Sequence, residues 1–144
     1  MLVPDVNVLL YAYNIESSRH AAMKNWWERT LSGPRPVGLA WHTILGFIRI
    51  STNPRFAASP WTPAEAVREV RGWLNVPVAE ILTPGDRHAE ILFGLLEEIG
   101  VAGNLTSDAH LAALAIEYQA ELVSTDSDFS RFRGLRWFNP AELR

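Results

Sequence analysis

Short apolar segments alternate with amphipathic helical segments along almost the whole chain, and this alternation restricts the fold more than any other feature of the sequence. Strands are predicted at the apolar segments 2–3, 37–39, 78–81, 122–124 and 135–137. Helices are predicted at 6–13, from 17 or 18 to 32, and at 41–51, 62–74, 83–99 and 106–118. Short links between strands and helices are typical of crossover connections in parallel sheets. The sequence therefore predicts a three-layer α/β/α fold with a mainly parallel central sheet flanked by helices.

Three helix starts carry recognisable capping residues. The clearest begins at Thr62, because threonine can cap, Pro63 suits the first helical position and Glu65 can bond back to the cap amide. Asp5 is expected to cap the helix that begins at residue 6, and Thr106 the helix that follows it. These caps place three polar side chains at helix N-termini that follow predicted strands or loops.

Composition excludes several functional classes. The 144 residues contain no long linker, which predicts a single domain over residues 1–144. The absence of cysteine excludes disulfides, thiolate metal sites and cysteine nucleophiles. The only lysine, Lys24, does not stand in a glycine-rich phosphate loop, which excludes a P-loop nucleotide site. A net charge of −3 argues against binding nucleic acid through bulk positive potential, although a local arginine patch stays open.

The chain shows no membrane or export signal. Its apolar runs are shorter than the roughly 18 to 20 residues that a membrane-spanning helix needs. The first residues lack the basic segment of a secretory signal, and Asp5 interrupts their apolar character. We therefore expect a cytoplasmic protein that does not contact membranes.

Acidic side chains stand where a parallel sheet places its ligand site, beyond the carboxyl ends of strands. Asp5 follows the first strand, Asp126 and Asp128 follow the strand that ends at Ser124, and Asp108 lies in the first turn of a helix. Each has a structural alternative, since an aspartate at a helix N-terminus is often only a cap and a polar turn often follows a strand. Asp108 fits this alternative least, because it continues the apolar stripe of its helix and a buried carboxylate needs a partner.

A divalent cation is a suitable partner for these carboxylates. Clustered carboxylates repel one another and raise one another's pKa values unless a cation neutralises them. A site with oxygen ligands and without cysteine or histidine favours Mg²⁺, with Mn²⁺ as an alternative. Such a site is suited to phosphoryl chemistry.

Four segments, in this order, carry a resemblance to a known family: DVNVLLYA at 5–12, IRISTNP at 48–54, DAHLAALA at 108–115 and DSDF at 126–129. Together with residues 135–137 and 139–140, they resemble a PIN domain and, more closely, the VapC toxins of bacterial toxin–antitoxin pairs. The resemblance spans nearly the whole chain. It implies a metal-dependent endoribonuclease that cuts RNA and is neutralised by a cognate VapB-type antitoxin, and it also implies a homodimer.

The resemblance also implies roles for individual residues. Asp5, Asp108 and Asp126 match the acidic catalytic and metal-binding positions of the family. Asp128 matches a further acidic position that is less regularly a ligand. Asn7 and Thr125 match polar residues beside the site, where they are expected to bind substrate.

The helix at 41–51 carries one departure from the family pattern and one further candidate for the site. Many PIN domains carry a metal-binding glutamate where this chain has Gly46, which puts a second metal ion in doubt and leaves oxygens for the RNA phosphate to supply. Arg49 borders the same helix face and is a further candidate for substrate binding.

Histidines near these segments could contact substrate, although a histidine on a helix face is more often an ordinary hydrogen-bonded residue. His20, His42 and His110 belong to this group. His110 stands two residues after Asp108 and therefore points to another face of the helix.

Two alternatives stay open at the level of sequence. An aspartyl-phosphate phosphatase would use Asp5 as nucleophile, but it would usually need a second aspartate where Asn7 stands and a lysine late in the chain. A catalytically silent domain that binds RNA or protein would keep the fold without the chemistry, and Gly46 is its main support.

Overall fold

The computed structural model describes residues 1–142, and within them the chain forms five strands and six helices. The strands are β1 Leu2–Pro4, β2 Val37–Ala40, β3 Ala79–Leu82, β4 Glu121–Val123 and β5 Arg136–Phe138. The helices are α1 Val6–Tyr13, α2 His20–Ser32, α3 Trp41–Ser51, α4 Pro63–Leu74, α5 His88–Ile99 and α6 Thr106–Glu117. The expected domain of residues 1–144 includes Leu143 and Arg144, which lie outside the described residues.

The strands form one parallel sheet in the order β3-β2-β1-β4-β5. The chain builds outward from β1 to β3 on one side of the sheet and then returns to add β4 and β5 on the other side. The reversal falls between β1 and β4, where Val3 pairs with Leu122. A parallel sheet opens a crevice at such a reversal, beyond the carboxyl ends of the two strands.

Helices cover both faces of this sheet, which confirms the predicted three-layer α/β/α fold. Val3 and Leu122 point into a core shared with α5 and α6. The next residues along the strands point the other way, so Leu2 and Val123 pack with α1 to α4 and with the buried rings of that face. Because successive strand residues serve opposite cores, both faces of these strands must be apolar.

The capping residues predicted for two helices are confirmed. Thr62 and Glu65 exchange hydrogen bonds in a capping box at the start of α4, with Pro63 as the first helical residue. Asp5 precedes α1, and its side chain accepts the backbone N–H of Val6 at 2.7 Å.

Helix α6 begins at Thr106 as predicted, but the predicted capping role of Thr106 is wrong, and so is the predicted start of α5. Thr106 is not a cap, since a short 3-10 turn at Gly103–Leu105 runs directly into α6 and the Thr106 hydroxyl donates to the Gly103 carbonyl. Helix α5 begins at His88 and not at residue 83. The Glu117 carboxylate on α6 holds residues 85–87 in an irregular turn through their backbone amides.

Helix α2 begins at His20, two or three residues after the predicted start. Within residues 1–142, the helices are all too short or too polar to cross a membrane.

Candidate active site

The candidate site is organised around the hydroxyl of Ser124, which is fully buried at the carboxyl end of β4. This hydroxyl donates a 2.8 Å hydrogen bond to Oδ2 of Asp5. It accepts one of 3.1 Å from the side-chain amide of Asn7 and one of 3.0 Å from the backbone N–H of Asp126. One side chain therefore joins the residues that follow β1 to the turn that follows β4.

Asp5 is held from both sides and is only 8% exposed. Its Oδ1 accepts the Val6 N–H and its Oδ2 accepts the Ser124 hydroxyl, while its own N–H extends the strand pairing to the Val123 carbonyl at 2.8 Å. Burial raises the pKa of Asp5, and repulsion from Asp126 adds to this effect. The two accepted hydrogen bonds act against the shift, as does the nearby His42.

The turn after β4 presents two further carboxylates. Asp126 Oδ1 accepts the Asp128 N–H at 2.9 Å, which starts a short 3-10 turn over residues 127–131. Asp128 is exposed and lies 3.9 Å from the Arg131 guanidinium. The polar turn that the sequence offered as a structural explanation is therefore present, and it sets Asp126 beside Asp5.

Asp108 completes the group from the first turn of α6, where it is partly buried and is followed by the buried residues Ala109, Leu111 and Ala112. Burial raises the pKa of Asp108 to about 6, and repulsion from Asp5, Asp126 and Asp128 contributes to the shift. The sequence argument that this carboxylate needs a partner is consistent with its raised pKa. The four carboxylates come from three separate segments of the chain, and Asp108 lies within electrostatic reach of the other three.

These carboxylates suit a divalent cation in their chemistry. Carboxylate oxygens are the ligands that hard cations prefer, and a cation would relieve both the burial cost and the mutual repulsion. Within residues 1–142, no three acidic or histidine side chains converge closely enough to complete a metal site by themselves. Oxygens of water or substrate would have to complete the coordination.

The family model described as PIN domain matches residues 2–135 of this chain. The chain belongs to the PIN domain family. A relative named Ribonuclease VapC33 from Mycobacterium tuberculosis is 44% identical over 140 residues, which cover 97% of this chain and 98% of the relative. A relative named Ribonuclease VapC43 from the same organism is 40% identical over 142 residues, covering 99% and 97%. The resemblance stated from the sequence motifs is thus confirmed.

Solved structures share the fold of this PIN domain at low sequence identity. VapBC2 from Rickettsia felis, crystallised on a DNA fragment from its promoter, gives a TM-score of 0.70 at 19% identity, covering 96% of this chain and 97% of that one. VapC20 from Mycobacterium tuberculosis, described as a Sarcin-Ricin loop cleaving toxin, gives 0.67 at 18% identity, covering 94% and 99%.

The predicted substrate-binding residues of this PIN domain fall into two places. Asn7 and Thr125 lie in the site, where Asn7 Oδ1 accepts the Thr125 N–H at 3.3 Å. Arg49 is exposed on α3, seven residues after His42 and hence about 10 Å farther along the helix axis. Contact of these three residues with substrate stays a prediction.

Gly46 has a packing role in this PIN domain. A Cβ atom at this position would lie 3.3 Å from Cγ2 of Val6, the residue after Asp5. That contact is tighter than most side chains accept, so a larger residue would require Val6 to shift by a few tenths of an ångström. The glycine allows the two helices to approach beside the site, whatever its effect on metal binding.

Sequence reasoning missed Ser124, which contacts Asp5, and two polar residues that lie farther from the carboxylates. Ser124 could have been found, since it follows an apolar strand and precedes Asp126 by two residues. His88 and Glu117 carried no such signal, because His88 contacts His110 and Glu117 contacts His88, and neither contacts the carboxylates of the site. His110 itself bonds to His88, away from the carboxylates, as its helical position predicts.

Proposed function

We propose that this PIN domain protein is a metal-dependent endoribonuclease toxin that hydrolyses RNA phosphodiester bonds and is neutralised by a cognate VapB-type antitoxin. The observation that carries the proposal is the gathering of four carboxylates at the reversal of the sheet, with raised pKa values at Asp5 and Asp108. Relatives named ribonucleases, matched over nearly their whole length, support the choice of RNA as substrate.

In this proposal Asp5, Asp108 and Asp126 are the catalytic carboxylates and hold Mg²⁺, with Mn²⁺ as an alternative, and Asp128 is a further ligand. A bound divalent ion polarises the phosphate and lowers the pKa of water. Ser124 and the Val6 amide keep the Asp5 carboxylate in one orientation by occupying one lone pair on each oxygen. The remaining lone pairs are available to a cation.

The RNA backbone is bound by local groups, since the net charge of −3 offers no general attraction for phosphate. Asn7, Arg49 and Thr125 are the proposed substrate-binding residues. Arg49 provides a positive charge for an RNA strand that extends from the carboxylates along α3. Asn7 and Thr125 present polar groups directly beside Asp5 and Asp126.

The partners follow from the same proposal. Solved structures that share the fold include complexes described as VapBC, which supports a VapB-type antitoxin as partner. We further propose that the protein is a homodimer and acts in the cytoplasm, where RNA is accessible to it.

The two alternative functions have less support. As a phosphatase nucleophile, Asp5 would need an accessible oxygen, whereas it is 8% exposed with both oxygens hydrogen-bonded. The catalytically silent domain depended mainly on Gly46, whereas the relatives named ribonucleases support an active enzyme.

The test is cleavage of a mixed pool of transfer and messenger RNA by the purified protein, freed of antitoxin, with Mg²⁺ or Mn²⁺ and with EDTA. Wild-type protein is expected to give discrete products only with the metal ion. Asp5→Asn and Asp108→Asn are expected to reduce the rate at least about 100-fold, since even residues that only support metal ligands cost about 10- to 100-fold.

Asp86→Asn is the matched control. It makes the same chemical change at an exposed residue in the loop before α5, away from the four carboxylates of the site. It is expected to cleave at the wild-type rate. Cleavage that persists in EDTA would contradict the metal dependence. Absence of cleavage by folded wild-type protein under every ion would contradict the ribonuclease.

A further inference from the structure

A cavity of about 540 Å³ opens between the C-terminal ends of α1 and α3 and the loop that joins α3 to α4, and it is called the α1–α3 cavity below. Its volume lies within the range of about 300 to 1,000 Å³ that is typical of ligand sites. Five aromatic rings and the exposed residue Glu16 line it. The rings are those of Tyr11, Tyr13, Phe47, Phe56 and Trp61.

The inner wall of the α1–α3 cavity is fixed by ring contacts. Tyr13, Phe47 and Trp61 meet edge to face, with ring centroids 5.4 to 5.9 Å apart. The Tyr13 hydroxyl accepts the indole N–H of Trp73 at 2.7 Å, which holds the ring at the end of α1. The cavity is therefore preformed, and a guest would bind without a large cost of ordering these rings.

The mouth of the cavity presents an exposed ring and two guanidinium groups. Phe56 is 62% exposed, and the exposed residue Arg55 directly precedes it. The Arg19 guanidinium lies 5.2 Å from the centroid of the Tyr11 ring. Neither arginine forms an ion pair within residues 1–142, so both are available to phosphate. Aromatic rings beside such arginines are the combination that binds single-stranded nucleic acid.

The α1–α3 cavity lies at the end of the path proposed for the RNA strand. Tyr13 follows Asp5 by the eight residues of α1, which is about 12 Å along the helix axis. Ile50 and Ser51 line the cavity and directly follow Arg49, which is proposed to bind the RNA backbone. A strand that leaves the carboxylates and passes Arg49 can therefore reach the cavity within a few nucleotides.

Glu16 determines which base the cavity would prefer. Within the described part of the chain, its carboxylate forms no ion pair, and only its backbone N–H is hydrogen-bonded, to Asn14. A carboxylate only accepts hydrogen bonds, through two adjacent oxygens. The Watson–Crick edge of guanine carries two adjacent donors, N1–H and the N2 amino group, whereas the other three bases of RNA offer one donor group each. Guanine is thus the base that can bind both oxygens at once.

We propose that the α1–α3 cavity binds an unpaired guanine base of the RNA substrate, which stacks on Phe56 and donates from its Watson–Crick edge to Glu16. Arg19 and Arg55 bind the neighbouring phosphates. This inference rests on the proposed ribonuclease function and deepens it, because it assigns a base preference to the RNA that is cut.

A polypeptide is the other guest that an aromatic cavity could take. An apolar side chain would cover the rings but would leave the Glu16 carboxylate and the two guanidinium groups unused. RNA satisfies both kinds of group, because phosphates pair with arginine and a base edge pairs with a carboxylate. Its unpaired bases also stack on exposed aromatic rings. The lining and the mouth of the cavity therefore favour RNA.

The test measures binding in EDTA, so that metal-dependent cleavage does not contribute. Labelled single-stranded RNA oligonucleotides carry guanosine, inosine or uridine at one position of an otherwise uridine sequence, and fluorescence anisotropy gives their dissociation constants. The wild-type protein is expected to bind the guanosine oligonucleotide about 5- to 100-fold more tightly than the uridine oligonucleotide, the value of a bidentate base contact. Inosine, which lacks the N2 amino group, should fall between the two.

Two variants at the cavity separate the base edge from the stacking. Glu16→Ala should bind the three oligonucleotides with equal affinity, because no carboxylate is left to distinguish them. Phe56→Ala should bind the guanosine oligonucleotide about tenfold more weakly, because a base–aromatic stack is lost. Both residues are exposed, so neither substitution removes a core side chain.

Phe93→Ala and Glu97→Ala are the matched controls. Both residues are exposed on α5, Phe93 to 58%, and neither lines the α1–α3 cavity. Both variants should keep the affinity and the guanosine preference of the wild type. Equal binding of the guanosine and uridine oligonucleotides by the wild type, or a preference that survives Glu16→Ala, would overturn the inference. Binding of none of the oligonucleotides would also overturn it and would leave the cavity to a polypeptide.

Cleavage of the same oligonucleotides with Mg²⁺ separates this inference from the proposed function. A wild-type protein that prefers guanosine in binding and yet cuts no RNA would contradict the ribonuclease and retain the guanine site. A wild-type protein that cuts the guanosine and uridine oligonucleotides at equal rates, with Phe56→Ala as active as the wild type, would retain the ribonuclease and overturn the inference.

Discussion

Ser124 uses the full hydrogen-bonding capacity of its hydroxyl, with one bond donated to Asp5 and two accepted from Asn7 and Asp126. A buried group with this many partners cannot be replaced by an apolar side chain without leaving each partner short of a bond. The residue does not need to touch substrate to matter, because it fixes the orientation of one proposed catalytic carboxylate and the turn that carries another.

We predict that Ser124→Ala lowers RNA cleavage about 10- to 100-fold, as loss of a group that supports a metal ligand does. It should also destabilise the fold by about 1 to 3 kcal/mol, because buried polar partners are left unpaired. Loss of the hydrogen bond to Asp5 raises the pKa of that carboxyl further, so the acidic limb of the pH–rate profile should move to higher pH. Rate profiles and denaturant unfolding measure the three effects.

Thr62→Ala separates stability from activity in the same experiment. It removes a capping hydroxyl from α4, far from the carboxylates, at a cost of about 1 kcal/mol. It should unfold more easily and yet keep the wild-type pH–rate profile. An unchanged profile in Ser124→Ala would contradict the role assigned to Ser124.

Asp108 is predicted to lower the stability of the free protein. Its folded pKa is about 6, above the ordinary 3.8, so between these values the folded state binds more protons than the unfolded state. The free energy of unfolding therefore falls as the pH rises through this interval. At neutral pH the charged form should cost about 1 kcal/mol, less than the full shift implies because the carboxyl keeps contact with water.

Asp108→Asn should accordingly raise the melting temperature by about 2 to 4 °C at neutral pH while it abolishes cleavage. The gain should vanish below about pH 4, where the wild-type carboxyl is protonated in both states. Melting curves of both proteins across this range measure it. A gain that is the same at every pH, or no gain at neutral pH, would show that repulsion does not act on Asp108.

The carboxylates of the site were predictable from sequence, whereas their supports were not. Asp5 directly follows an apolar strand, Asp126 lies in the turn after another, and Asp108 interrupts an apolar helix face, so local pattern identifies them. The role of Ser124 depends on a contact with Asp5 across 119 residues of sequence. Local pattern carries no information about such a contact.

At the level of elements, helical periodicity and capping residues predicted the six helices, and short apolar segments predicted the five strands. The errors lie at the boundaries of these elements. The start of α5 is the clearest case, since Thr83 and Pro84 have the chemistry of a helix start. The Glu117 carboxylate overrides that preference by binding the amides of residues 85 and 87. A contact from another helix decided this boundary, which is why the sequence around it was misleading.

The order of the strands could not be derived from their sequences. All five are short and apolar, and nothing in β4 indicates that it pairs with β1 and not with β3. The parallel character was predictable, because each connection contains enough residues to cross over the sheet. The reversal between β1 and β4, which positions the site, emerged only from the structure.

For the whole molecule, the carboxylate group predicts a strong response to divalent ions. A cation that binds only the folded state stabilises it, by about 2.7 kcal/mol at a concentration 100 times its dissociation constant. We predict that Mg²⁺ or Mn²⁺ raises the melting temperature of the wild-type protein by several degrees. Differential scanning calorimetry at constant ionic strength measures the shift.

Asp5→Asn should lose most of this response, and Asp86→Asn should keep it. Because Asp5 and Asp108 are destabilised as charged groups in the free protein, the response of the wild type should also weaken as the pH falls below about 6. An equal response in wild type and Asp5→Asn would contradict the assignment of Asp5 as a ligand.

The bond between Ser124 and Asp5 also has a consequence for the biosynthesis of the protein. A ribosome delivers Asp5 well before Ser124, which follows it by 119 residues, and before Asp126. Without β4, the central strand β1 lacks one neighbour, and the carboxylates of the proposed site cannot assemble. If the protein is the ribonuclease proposed here, a nascent chain that has not yet reached β4 has no assembled site with which to cut the messenger RNA that encodes it.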